Sequence, residues 1–133
     1  MKAVDQGIYN KLAGDSTLVA LLSGGTPIFQ MVAPPDTARP YVQFFSAGGG
    51  PDNITPSDLR SLVYGIKAVS DTLLAAANID ARLDALLHNQ SISVTGYTNL
   101  WLARETDVQF PETAPNGNPI YHYGAYYRIR IDD

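Results

Sequence analysis

Cysteine is absent from the 133 residues, which excludes disulfides, thiolate metal sites and nucleophilic cysteine chemistry. The absence fits a chain made in a reducing cytoplasm. Basic residues are few, nine Lys and Arg against thirteen Asp and Glu, for a net charge of −4. Sequence-independent DNA binding needs clustered cations that displace counterions, and Arg128 and Arg130 are the only close basic pair beside an aromatic cluster. A protein that grips DNA is not expected, whereas a surface that DNA slides past is compatible. No apolar run approaches the roughly 18 residues of a membrane helix. The start, Met1-Lys2-Ala3-Val4-Asp5-Gln6-Gly7, turns polar at once and lacks the apolar core of a signal peptide. These two features predict a soluble protein, not secreted by a standard signal and without a membrane partner.

Histidine is also scarce. Only His88 and His122 could serve as imidazole bases, no Gly-x-Ser-x-Gly elbow occurs, and no paired carboxylates stand out at strand ends. Enzymatic activity is therefore not expected, and neither is a cofactor. The triple glycine at 48–50 is followed by Pro51-Asp52 where a phosphate-cradling loop needs Gly-Lys-Ser/Thr, so it reads as a flexible loop. Asp80, Asp84 and His88 share one helix flank at i, i+4 spacing, the geometry from which a metal could be held. With no further cluster of ligands in sight, a solvated helix face is the better reading and no metal site is expected.

What is present is a strong alternation of patterns. Val4, Ile8 and Leu12 mark one face of a helix over 4–13, and Gly14 interrupts it. Asp15 or Ser16 can cap a second short helix bearing Leu18, Leu21 and Leu22, which Gly24-Gly25 ends. Four prolines between 26 and 40 make a connection, with Ile28-Phe29 as a possible strand fragment. Strands are predicted over 41–46 and 62–69, separated by a mobile loop at 47–53. The second is apolar on both faces and belongs at the centre of a sheet.

From an N-cap at Ser70-Asp71 to His88 runs the longest helix, with Ala76, Ile79, Leu83, Leu86 and Leu87 on one stripe. Residues 97–108 alternate, placing Leu100, Leu102 and Val108 on one side and Asn99, Glu105 and Asp107 on the other. A long loop at 111–119 follows, and then a strand over 120–131. There Tyr121, Tyr123, Ala125, Tyr127, Ile129 and Ile131 face one way, while His122, Gly124, Tyr126, Arg128 and Arg130 face the other. The predicted fold is α+β: a mainly antiparallel sheet of about four strands, packed on one face by one long helix, with a short N-terminal helical pair. One domain over 1–133 is expected. Eight tyrosines occur, four of them in the last strand, and they suit either a sheet core or a surface half buried by partners. Tyr126, out of phase with the rest, is the interface candidate.

The order of these features resembles the phage tail completion family of tail terminators and tail-to-head joining proteins. The resemblance runs from Ile8-Tyr9-Asn10-Lys11-Leu12 and Leu18-Val19-Ala20-Leu21-Leu22 through Arg39-Pro40-Tyr41-Val42-Gln43-Phe44. It continues in Leu62-Val63-Tyr64-Gly65-Ile66-Lys67-Ala68, the helix ending Leu83-Asp84-Ala85-Leu86-Leu87, and the closing strand Tyr126-Tyr127-Arg128-Ile129-Arg130-Ile131. The last loop, 111–119, is longer than a minimal version of the pattern needs.

This resemblance implies a non-enzymatic virion protein whose subunits form a ring, a hexamer, on the head-proximal end of the tail tube. Its expected partners are copies of itself, the major tail tube protein, the head–tail connector protein, and genomic DNA only as it passes through the lumen. A head-side adaptor or stopper is the alternative, and a small enzyme or ligand-binding protein a more distant one. The loops at 47–56 and 111–119 are the expected contact sites, since long loops in compact folds are often functional. The interface candidates are Gly48, Gly49, Gly50, Asp52, Asn53, Asn116, Asn118, Tyr126 and Arg128. A ring lumen of neutral or acidic character follows from the net charge.

Overall fold

A computed structural model describes residues 1–53 and 58–133. Helix α1 spans Lys2–Ala13, and its i, i+4 residues Val4, Ile8 and Leu12 are fully buried. Gly14 caps its C-terminus. Asp15 then caps α2 (Ser16–Leu21) by accepting the Leu18 N–H at 2.9 Å, which satisfies a donor that the first helical turn leaves unpaired. The same carboxylate receives Arg82 Nη2 at 2.7 Å, tying α2 to α3 (Leu73–Leu87). That guanidinium holds the Asp15 carboxyl below the usual carboxylate range. The N-cap of α3 is Thr72, one residue beyond the Ser70-Asp71 expected, and its Oγ1 accepts the Ala75 N–H.

Among the described residues five strands form one mixed sheet in the order β1-β2-β3-β5-β4. They are β1 (Ile28–Gln30), β2 (Tyr41–Pro51), β3 (Arg60–Ser70), β4 (Thr98–Thr113) and β5 (Pro119–Asp132). The expected count of four is corrected by β1, where the Ile28-Phe29 fragment extends to Gln30 and pairs parallel to β2. All other pairings are antiparallel. Strand β3 lies at the centre, as its two apolar faces require. The three helices pack on one face of the sheet over a core that includes Phe44, Tyr64, Ile66, Ile79, Leu83, Tyr127 and Ile129.

Three further expectations are corrected. The glycine run is strand rather than loop: Gly48, Gly49 and Gly50 pair with Val63, Leu62 and Ser61 after a bulge between Ser46 and Gly48. Glycine has poor strand propensity, yet the partner strand supplies the ladder, and the bulge uses conformations glycine tolerates. Of the 47–56 loop, residues 54–56 lie outside the described residues.

The 111–119 loop is also shorter than expected, because β4 runs to Thr113 and β5 begins at Pro119. The remaining turn is closed by Gly117 N–H to the Ala114 carbonyl (2.8 Å) and Ala114 N–H to the Asn118 carbonyl (2.9 Å). Finally, β4 breaks phase at bulges between Asn99 and Trp101 and between Arg104 and Thr106. Leu102 stays in the core while Leu100 turns out to 53% exposure. One extra residue in a strand moves everything beyond it to the opposite face.

Candidate functional site

The helices leave the second face of the sheet uncovered among the described residues, and its side chains form the candidate surface. Along β2 and β5, successive residues alternate between the core and this face. Phe44 therefore enters the core, and Phe45 stands on the open side, edge to face with Tyr126 at 6.4 Å between ring centres. Glycine at position 65, between them in the sheet, is what admits the Phe45 ring: a Cβ there would lie 2.4 Å from its Cζ. Lys67 extends over this aromatic ground, its ammonium 4.9 Å from the centre of Phe110. Together these residues and Val108 line a shallow depression of about 200 Å³. Burial pushes the Lys67 ammonium below the usual lysine range, with Glu112 pulling the other way.

His122 lies beside this patch, 6% exposed and stacked on Phe110 at 4.4 Å. Its Nε2 faces Glu112 Oε1 at 2.7 Å, and its buried Nδ1 has no partner among the described residues. Desolvation lowers the imidazole below the usual histidine range, the Glu112 hydrogen bond opposes this, and Lys67 adds to the lowering. His122 is thus a packing residue, in keeping with its place among tyrosines in the sequence.

The predicted interface residues divide between two ends of the sheet. At one end Gly48, Gly49 and Gly50 lie in the β2–β3 pair, and Asp52 accepts Arg130 Nη2 at 3.1 Å. Asn53 adopts a positive φ of 60°. Arg128, in register with Val63, donates to Glu105 Oε1 at 2.5 Å and Ser61 Oγ at 2.9 Å. Tyr126 joins this group on the open face. Asn116 and Asn118 occupy the β4–β5 turn instead, where Asn116 Oδ1 accepts the Asn118 N–H at 3.0 Å. Eleven residue steps along β5 separate Pro119 from Arg130 (about 35 Å at strand rise), so the two expected contact regions do not meet within one subunit.

Asp80, Asp84 and His88 do converge, but on Arg104: the two carboxylates on its guanidinium and the histidine on its backbone N–H. Arg104 binds Asp80 through Nη1 (3.0 Å) and Nη2 (2.9 Å), lies 3.8 Å from Asp84, and donates its backbone N–H to His88 Nδ1 at 3.0 Å. The expected solvated flank is therefore corrected at Asp80, which is buried. Among the described residues no cluster of three or more His, Cys, Asp or Glu is arranged to hold a metal.

Sequence reasoning missed Phe45, Lys67, Phe110 and Glu112 as members of one surface. The available signal was the Phe44-Phe45 pair, since two adjacent aromatics in a strand must populate both faces.

No protein-family model and no curated protein matches the chain. Solved structures do share its fold. One is a chain described as the virion of a native gene transfer agent particle, 16% identical, with a TM-score of 0.78 over 98% of this chain and 95% of that one. Another, also 16% identical, has a TM-score of 0.59 and covers 96% of this chain and 94% of its own. At such identity the likeness establishes a shared fold over nearly the whole length of the chain.

Proposed function

We propose that this chain is a structural, non-enzymatic virion subunit, a tail terminator. Its ring would cap the head-proximal end of the tail tube, end tube polymerisation and present a surface to the head connector. The observation that carries this reading is the near full-length likeness in fold to a chain of a gene transfer agent virion. The order of sequence elements, which resembles the tail completion family, points the same way. Capping needs no reacting groups, only contact surface, which the open sheet face offers.

In this reading the partners are identical copies, the tail tube protein and the head–tail connector protein, with DNA only passing through the lumen. A head-side adaptor or stopper is the second reading. The 15-residue helix α3 lying across the sheet favours the tail side, because head-side proteins tend towards helical bundles or small barrels. Negative-stain microscopy of tails assembled with and without the protein separates the two. Loss of a tail terminator gives tubes of uncontrolled length, whereas loss of a head-side connector leaves tails of normal length unattached to heads. Tails of normal length joined to heads in its absence would overturn both readings.

A further inference from the structure

We propose that the outer half of β4 binds a second copy of this chain along that copy's β1–α1 edge, so that subunits abut head to tail. The inference rests on the ring reading above and names the surfaces that close the ring. Strands β4 and β1 are the two edges of the sheet. The first half of β4 is already occupied on its outer side: Asn89 donates its N–H to the Leu102 carbonyl at 2.9 Å, and His88 takes the Arg104 N–H. Beyond the Arg104/Thr106 bulge, residues 105–113 pair only with β5 among the described residues, and all except Val108 are exposed. The outward N–H and C=O groups of such an edge are a template for a further strand.

Charge selects which strand. Residues 105–113 carry Glu105, Asp107 and Glu112 and no lysine or arginine; Arg128 and Arg104 pair with the first two, yet Asp107 stays 81% exposed and Glu112 faces only His122. Two such edges laid antiparallel would crowd carboxylates together, which opposes a two-fold β4–β4 contact. The β1 edge has the complementary character. Pro27 C=O and Met31 N–H bond to β2, so the intervening alternation turns the Ile28 carbonyl and the Gln30 N–H outward. Next to them is a cleft of about 400 Å³ between α1 and β1, with Tyr9, Phe29 and Val32 among its walls and both Lys2 and Asp5 lining it, the Asp5 carboxylate being already held by the Tyr64 hydroxyl and the N-terminal ammonium. Lys2 has no carboxylate within 4.0 Å among the described residues. An acidic edge that exposes Phe110 by 41% meets there a cation, two backbone partners and apolar surface. Because the two surfaces differ, the contact is heterologous and repeats until it closes.

The cysteine-free chain permits a direct test. Gln30→Cys and Gln109→Cys, both at exposed positions, are combined in one chain and oxidised under conditions where native mass spectrometry shows the oligomer. The expected result is a ladder of linked subunits on a denaturing gel from the double variant and monomer from each single variant. In parallel, Asp107→Lys should raise the concentration for half-assembly by about tenfold, and adding Lys2→Glu should restore it. Circular dichroism of each variant separates misfolding from lost contact. An oligomer without the ladder, or a β4–β4 dimer from Gln109→Cys alone, overturns this interface and leaves the ring reading intact. A protein that stays monomeric both at high concentration and on purified tails overturns the ring reading and this inference with it.

Discussion

Arg104 is where three elements are pinned by one side chain. It grips Asp80 of α3 with both terminal nitrogens, Asp107 of its own strand through Nε (2.7 Å), and lies within 3.3 Å of the Tyr127 hydroxyl of β5. Burial and the Arg104 charge act in opposite senses on Tyr127, and burial dominates, so its phenol is pushed up to about 12. Truncating Arg104 would leave the Asp80 carboxylate buried and unpaired. Arg104→Met should therefore cost about 3–5 kcal/mol in a urea titration, while pairing it with Asp80→Leu should recover most of the loss. Equal losses in single and double variants would show that the ion pair is not what matters. Gly49 makes a second test at this scale. Its φ is +86°, and a Cβ would lie 2.1 Å from the Ser61 carbonyl oxygen, whereas a Cβ at Gly50 meets nothing within 4 Å. Gly49→Ala should be destabilising by about 2 kcal/mol or more, and Gly50→Ala close to neutral, by thermal denaturation.

Among the elements, the β4–β5 hairpin has the clearest condition-dependence. His122 fastens its tip through Phe110 and Glu112, with Lys67 of β3 close enough to oppose a second positive charge. Protonation would place a proton on the buried, unpartnered Nδ1. The unfolded chain accepts that proton near the ordinary histidine value of about 6.5, and the folded chain only at lower pH. The fold therefore has this stability in full above pH 6.5 and loses it as pH falls through 6.5 towards the folded value. His122→Phe keeps the stacking and removes the titration. Its melting temperature should change less between pH 7.5 and pH 5 than that of the native chain, and an equal change in both would refute the assignment.

The hairpin also shows what sequence could and could not reveal. Alternation in β5 gave the right residues to the right faces, because that strand is regular from Ile120 to Ile131 and pairs on both sides. Alternation in β4 failed at Leu100, since a bulge leaves no mark in hydrophobic pattern. The Gly48–Gly50 run read as a loop for a related reason: its strand character comes from Ser61–Val63 across the ladder, and local composition cannot report a partner. The helices were legible because their contacts recur within a few residues. The open face was legible only in its β5 residues, Tyr126 and Arg128 among them, its other members being contributed by three different strands.

At the scale of the whole molecule, the distribution of charge matters more than its sum. All six arginines stand in ion pairs: Arg39 with Asp71, Arg60 with Asp58, Arg82 with Asp15, Arg104 with Asp80, Arg128 with Glu105 and Arg130 with Asp52. A guanidinium held by a carboxylate is poorly placed to take a phosphate as well, and the net charge of −4 repels a polyanion at longer range. In the proposed ring, such a subunit would border a DNA path without retaining the DNA. On this account the pairing, and not the absence of arginine, limits what Arg128 and Arg130 on the open face offer to a phosphate. Glu105→Gln with Asp52→Asn releases Arg128 and Arg130 on that face while changing no basic residue. DNA binding at low salt should rise in this variant, and its dependence on salt should steepen by about one to two units in a plot of log K against log salt, one for each guanidinium that reaches a phosphate. If binding rose without that added salt dependence, the freed arginines would not be touching phosphate, and the neutral face would owe its indifference to shape.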